Sequence, residues 1–139
     1  MVRVAMASEY PRLIALYETW GYQGGIAPDD VVFVAEQADE VVGLVRRAAE
    51  GGIIMLRGMY VAPEVRHSGV GTRLLGAFVD HLYGTECFCI PFAHLTAFYQ
   101  RVGFTLLAEG AGPAVLSERL RAYRGEGHQV VLMYRPQTV

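Results

Sequence analysis

Along the chain, short β-rich apolar bursts bounded by turn residues alternate with stretches whose apolar positions recur at helical spacing. Val2–Ala5 ("VRVA") reads as a short first strand. Ser8 is placed to cap a helix with Glu9 and Pro11 in its first turn. Its apolar face is Leu13, Leu16, Tyr17 and Trp20, and it ends at Gly21. The stretch "GYQGGIAPDD" that follows is turn-rich and reads as a loop. Val31–Glu36 and Glu40–Ala49 are β-rich runs divided by "QAD", a hairpin signal, and Gly51-Gly52 separates them from a third run, Ile53–Val61, closed by Pro63. Three strands joined by tight turns imply an antiparallel meander.

From Gly69 the pattern changes. Val70, Leu74, Phe78 and Leu82 recur every four residues with Leu75 beside them, predicting a helix of about four turns. "CFCI" reads as a short buried strand, "HLTAFYQR" as a second helix stopped by Gly103, and "FTLLAE" as another strand. The tail holds a helix within "GPAVLSERLRAYR", with Val115, Leu116, Leu120 and Tyr123 on its apolar spacing, and a last strand in "HQVVLMYR". Strand, helix, strand, helix, strand is a crossover pattern, so part of the sheet is expected to be parallel. The expectation is one α/β domain over residues 1–139, with a mixed sheet and no repeat, linker or low-complexity segment.

Composition narrows the function classes. With 53% hydrophobic and 19% charged residues the chain is globular. A net charge of −2 gives no basic surface for nucleic acid, and all 12 basic residues are arginine, which is read as compositional bias. No apolar stretch is long enough to span a bilayer, so no membrane role is expected. Cys87 and Cys89 form neither a disulfide framework nor a zinc site; two apart on a strand, they suit small core fillers. No metal is expected, and a cytoplasmic location is the default.

The stretch with chemical content is "EVRHSGVGTRLLGAF", Glu64–Phe78. Two poor helix formers, Gly69 and Gly71, stand where an amphipathic helix must start. A helix start presents backbone N–H groups without internal partners, with the positive end of the aligned peptide dipoles behind them. An anion can use both if the backbone can come close, and glycine removes the obstructing side chains. Arg66 adds a fixed positive charge, and Ser68 and Thr72 add hydroxyls. A Walker A loop is excluded because the chain has no lysine. A dinucleotide fingerprint would need glycine at Leu74. What remains is R-x-x-G-x-G, Arg66 through Gly71, between a long strand and an amphipathic helix.

A second segment, "FYQRVGF" (Phe98–Phe104), lies about thirty residues downstream. Together with "YVAPEVRHSGVGTRLL" it resembles the acetyl-CoA-dependent GNAT acyltransferase superfamily, specifically in motif from Met59 to Phe104 and in element order over nearly the whole chain. The resemblance implies a central splayed pair of parallel strands, here Ile53–Val61 and "CFCI", with the pantetheine arm of the co-substrate between them. It implies that Met59, Tyr60 and Val61 meet that arm and help polarise the acyl carbonyl. Backbone amides across Arg66, His67, Ser68, Gly69, Val70, Gly71 and Thr72 would hold the pyrophosphate of acetyl-CoA. Tyr99 would lie near the sulfur, and Arg101 matches a basic position that approaches the phosphates. Phe92 and Leu95 stand where the family often has asparagine and alanine, so those side-chain contacts do not carry over. The helical segment 113–124 is unusual for the family.

Acetyl transfer to an amine needs oxyanion stabilisation and a proton for the departing thiolate. Tyr99 suits general acid, with a packing role beside Phe98 as the alternative; an amide near Met59–Val61 suits the oxyanion. No Glu, Asp or His lies between Ile53 and Val61, so Glu36 and His94 are the candidate bases, each equally readable as an exposed or capping residue. Glu9 and Glu18 read as solvated. Arg46 and Arg47 alternate to opposite faces, so at most one of them points into the acceptor cleft; Arg57, if it faces the cleft, suits an acceptor with a carboxylate or phosphate, with a surface salt bridge as the alternative. Trp20, Tyr22 and Tyr60 are candidate pocket aromatics. The expectation is an N-acetyltransferase with acetyl-CoA and a primary amine as partners, acting by direct transfer. A non-catalytic acyl-CoA-binding module and a structural subunit without nucleotide are the alternatives. Members of the superfamily are often dimers, which leaves a homodimer open.

Overall fold

The computed structural model describes residues 1–138, so the last position of the expected domain, Val139, lies outside them. They form two compact units, Met1–Tyr83 and a second beginning at Gly84.

The first unit contains β1 (Val2–Val4), a 3-10 turn (Ala7–Glu9), α1 (Tyr10–Thr19), β2 (Val31–Gln37), β3 (Glu40–Glu50), β4 (Ile53–Val61), a second 3-10 turn (Pro63–Val65) and α2 (Val70–Asp80). Its strands run in the order β1-β2-β3-β4, each antiparallel to its neighbour, which is the expected meander. Both hairpins close with two left-handed residues, Ala38 and Asp39 (φ 49° and 64°) and Gly51 and Gly52 (φ 58° and 83°), the conformation that matches strand twist. β2 and β3 read as continuous apolar runs because the sheet is covered on both faces. Val32, Val34 and Leu44 pack with Leu13 and Tyr17 of α1. Phe33, on the opposite face by strand alternation, meets Phe78 of α2 at 5.6 Å between ring centres. Val70, Leu74, Leu75, Phe78 and Leu82 are all buried as their spacing requires, although α2 is shorter than expected and Leu82 sits in the turn after it.

Two polar networks depart from the sequence reading. Ser8 does not cap α1; it lies inside the 3-10 turn, and the Glu9 carboxylate takes the Met6 N–H at 2.8 Å instead. Glu9 is therefore not a solvated helix residue. It forms a forked pair with Arg3 (2.8 and 2.7 Å), whose Nε also donates to Glu36 at 2.6 Å. These bonds hold the Glu9 carboxyl down to about 2, with the Arg3 side chain as the largest cause. The second network is buried. Arg46, on β3, donates from Nη1 to Asp30 at 2.7 Å and from Nη2 to the Tyr22 hydroxyl, while its Nε has no partner. Asp30 also accepts the Ala27 N–H at 2.9 Å, which fastens the 21–30 loop to the sheet.

The second unit contains β5 (Cys87–Cys89), a 3-10 turn (Ala93–Leu95), α3 (Thr96–Gln100), β6 (Thr105–Leu106), α4 (Ala114–Gly125) and β7 (Met133–Arg135). β7 lies between β5 and β6 and is antiparallel to both. The expected strands are shorter here. Pro91 has no N–H to continue the ladder from β5, so the chain regains pairing only as an isolated bridge of Phe92 with Val130. The helix read at "HLTAFYQR" is a 3-10 turn followed by five α-helical residues, ended by Gly103 at φ 99°. On α4, Leu116 and Leu120 are buried but Val115 is exposed.

Because Glu9 is depressed from 4.5 to about 2, its contribution to stability is complete above pH 4.5 and is lost as pH falls towards 2. Acid unfolding of Glu9→Gln against the native protein is expected to show a stability gap that is constant above pH 4.5 and closes below it. Asp30→Ala leaves the Arg46 guanidinium buried and unpaired and is expected to cost about 3–5 kcal/mol in urea unfolding.

Candidate functional site

The loop between β4 and α2 is built from backbone conformations that few residues adopt. After the Pro63–Val65 turn, Arg66 is extended (φ −62°, ψ 148°), His67 is left-handed at φ 66°, and Gly69 is left-handed at φ 88°, ψ 0° as the N-cap of α2. The first intrahelical bond runs from the Arg73 N–H to the Gly69 carbonyl at 3.1 Å. By helix geometry, the N–H groups of Gly69, Val70, Gly71 and Thr72 have no carbonyl four residues back to meet within the helix. No helix side chain caps them. A side chain at Gly69 would be strained at that φ, and its Cβ would lie 3.3 Å from Arg73 Nη1. Arg66, His67, Ser68, Gly69 and Thr72 are exposed, so the loop presents backbone and basic groups outward. Such a set of donors is suited to the oxygens of a diphosphate.

Not every expected donor is available. The Ser68 hydroxyl donates to the Val65 carbonyl, and Arg66 Nε to the Val61 carbonyl at 3.2 Å. Both contacts close the loop on itself.

The β4 strand that leads into the loop is irregular. Arg57 faces Arg46 and Tyr60 faces Leu44, so Gly58 and Met59 together oppose Val45 alone. This is a β-bulge with a left-handed glycine, φ 64°, at its first position. It falls where an amide was expected to serve an oxyanion, and Met59, Tyr60 and Val61 are half-buried along it. Around it gather Tyr17, Tyr22 and Tyr60, with ring centres 4.6 to 6.2 Å apart. Burial pushes the Tyr17 and Tyr60 phenols up, so both remain protonated.

The remaining candidates are dispersed. Glu36 is engaged by Arg3. His94 is exposed and stacked against Phe92, 5.9 Å between ring centres. Tyr99 is buried on α3 between Phe98 and Phe104, and burial together with Cys89 pushes its phenol up. Arg101 is exposed at the end of α3. Arg57 pairs with Glu50 at 3.2 Å. Among the described residues no group of three His, Cys, Asp or Glu is placed to hold a metal ion, and no helix is long and apolar enough to cross a membrane. Sequence reasoning missed Asp30 and the tie from Tyr17 to the bulge. The signal available was the buried-type position of Arg46 within an apolar strand, which requires a carboxylate partner.

A family model described as an acetyltransferase (GNAT) domain matches residues 28–106, more than half of the chain and including β4, the loop and α2. No curated protein matches. Among solved structures, N-acetylglutamate synthase from Neisseria gonorrhoeae, complexed with coenzyme A and N-acetyl-glutamate, is similar at a TM-score of 0.72 and 18% identity. The match covers 100% of this chain but only 36% of that one. Rv2747 from Mycobacterium tuberculosis, in complex with CoA and NLQ, is similar at a TM-score of 0.72 and 19% identity, over 99% of each chain. ElaA from Escherichia coli gives 0.68 and 17%, covering 97% of this chain and 98% of that one. At these identities the structures speak for the fold, which is mixed α/β as the sequence implied. With the family model spanning β2 to β4, the bulge and the glycine loop, the chain belongs to the GNAT acetyltransferase family.

Proposed function

We propose that this protein moves the acetyl group of acetyl-CoA to a primary amine, on a small molecule or on a protein, by direct attack in a ternary complex. The observation that carries the reading is the Arg66–Thr72 loop, where left-handed Gly69 opens α2 with no side chain capping its first amides. That two similarly folded proteins hold CoA supports it. Gly69 through Thr72 would bind the pyrophosphate, Arg66, His67 and Arg101 would add positive or polar contacts, and Met59 to Val61 would hold the pantetheine arm.

In the proposed step the amine lone pair attacks the acyl carbon, a C–N bond forms, and the C–S bond breaks with its electron pair leaving on sulfur. The nitrogen loses one proton and the sulfur gains one, so the products are an amide and free thiol. An amide of the β4 bulge would take up the charge that develops on the carbonyl oxygen. Tyr99, kept protonated by burial, is a donor and not a base at neutral pH, which suits protonation of the sulfur. His94 is the exposed candidate to receive the nitrogen's proton, through water.

One observation favours a second reading. The Glu36 carboxylate is held by Arg3, and no acidic residue or histidine lies on β4. A non-catalytic acyl-CoA-binding module would need no base. Thiol release from acetyl-CoA across an amine library separates the two: turnover on any amine selects the enzyme, and binding without turnover selects the module.

Acetyl-CoA at 100 times its Kd is expected to raise stability by about 2.7 kcal/mol, read as a thermal shift. Gly71→Trp is expected to abolish that shift, and a retained shift would remove the loop from the proposal. Tyr99→Phe is expected to lower kcat by roughly 100-fold or more while sparing CoA affinity, measured by calorimetry and steady-state rates. An undiminished rate assigns Tyr99 to packing.

A further inference from the structure

The bulge in β4 is gripped from α1. Tyr17, fully buried, donates its hydroxyl to the Gly58 carbonyl at 2.7 Å. The glycine is required on two counts: its φ of 64° is left-handed, and a Cβ there would stand 2.6 Å from the Tyr17 hydroxyl and 3.3 Å from Arg46 Nε. Tyr17 is itself fixed, its ring packed on Tyr22 at 4.6 Å and edge-on to Tyr60 at 6.2 Å. Tyr22 is in turn bound to Arg46, and Arg46 to Asp30. The donor therefore sits at the end of a rigid chain of contacts reaching from the 21–30 loop to the strand.

The Gly58 carbonyl shares a planar trans peptide with the Met59 N–H, and the two point in opposite directions. A hydrogen bond that fixes one fixes the other. In a regular antiparallel strand the ladder sets each peptide plane, but at a bulge two residues oppose one and the ladder is locally disrupted. The Tyr17 hydroxyl supplies an orienting bond at that point.

We propose that Tyr17 is a positioning residue for acyl transfer: by holding the Gly58 carbonyl it aims the Met59 N–H at the acyl carbonyl oxygen of acetyl-CoA. This deepens the acyltransferase reading and rests on it. Preorganised amides stabilise developing charge because their orientation is already set before the reaction. The role asks nothing of Tyr17 beyond a hydroxyl at this place, which separates it from the packing its ring also provides.

The test uses acetyl-CoA isotope-labelled at the acyl carbonyl, with the carbonyl stretching band of the bound molecule read by infrared spectroscopy and CoA affinity read by calorimetry. On the native protein the band should move to lower frequency than in free acetyl-CoA. In Tyr17→Phe it should return to the free value while CoA affinity is unchanged. The same band in both proteins overturns the role of Tyr17. A native protein that binds acetyl-CoA with its band at the free position overturns this inference but leaves the co-substrate assignment standing. A native protein that binds neither CoA nor acetyl-CoA removes the acyltransferase reading itself. Should Tyr17→Phe fail to fold, 3-fluorotyrosine at position 17 alone, a stronger donor of nearly the same shape, should lower the band further, and an unmoved band counts against the proposal.

Discussion

Backbone held in the left-handed region is the constraint on which the rest of this molecule turns. At Gly58 it opens a bulge in an otherwise regular antiparallel strand. At Gly69 it starts a helix without a side-chain cap. In both places the usual secondary-structure bonding is interrupted, and the polar groups affected are amides. An unpaired amide is costly when buried and useful when a ligand can reach it. The two interruptions are only about ten residues apart, joined by the end of β4 and one 3-10 turn, so one continuous piece of chain carries both.

The cost of such irregularity is met by the sheet around it. β2 and β3 are covered on both faces, by α1 on one and α2 on the other, and most of the largest buried side chains of the first unit come from these elements. The buried Arg46–Asp30 pair is a different kind of element. A well-packed apolar pair would serve stability as well or better, so its value lies in what it fixes: a loop through Ala27 and Asp30, and an aromatic ring through Tyr22. The ion pair converts a glycine-rich, turn-rich stretch into an ordered wall against the sheet.

How much of this could be read from the chain depends on the range of the interaction. The meander and its turns were legible because the period-two runs and the Gly51-Gly52 turn are local signals; β4 spans Ile53–Val61 as the pattern gives it. The glycine loop was legible for the same reason. The short strands of the second unit were not, because apolar runs such as "FTLLAE" have strand propensity over more residues than find partners, and Pro91 interrupts the neighbouring ladder. Glu9 and Glu36 looked solvated or catalytic since nothing local shows that Arg3, on β1, reaches both. Tyr17 reads as one apolar position on a helix face, and its hydroxyl bond spans 41 residues of sequence. Side-chain contacts over that separation leave no periodic trace. Family resemblance supplied the ligand, which spacing alone reduced only to some diphosphate.

Cys87 and Cys89 bear on how this protein can be handled. Neither is in a disulfide, both are buried in β5, and burial pushes the Cys89 thiol well above its ordinary value, with Cys87 adding to the effect. A thiol that stays protonated and shielded is a poor nucleophile. Colorimetric reagents that capture sulfhydryls would therefore draw little signal from the folded polypeptide, and slow appearance of protein-derived colour would report unfolding.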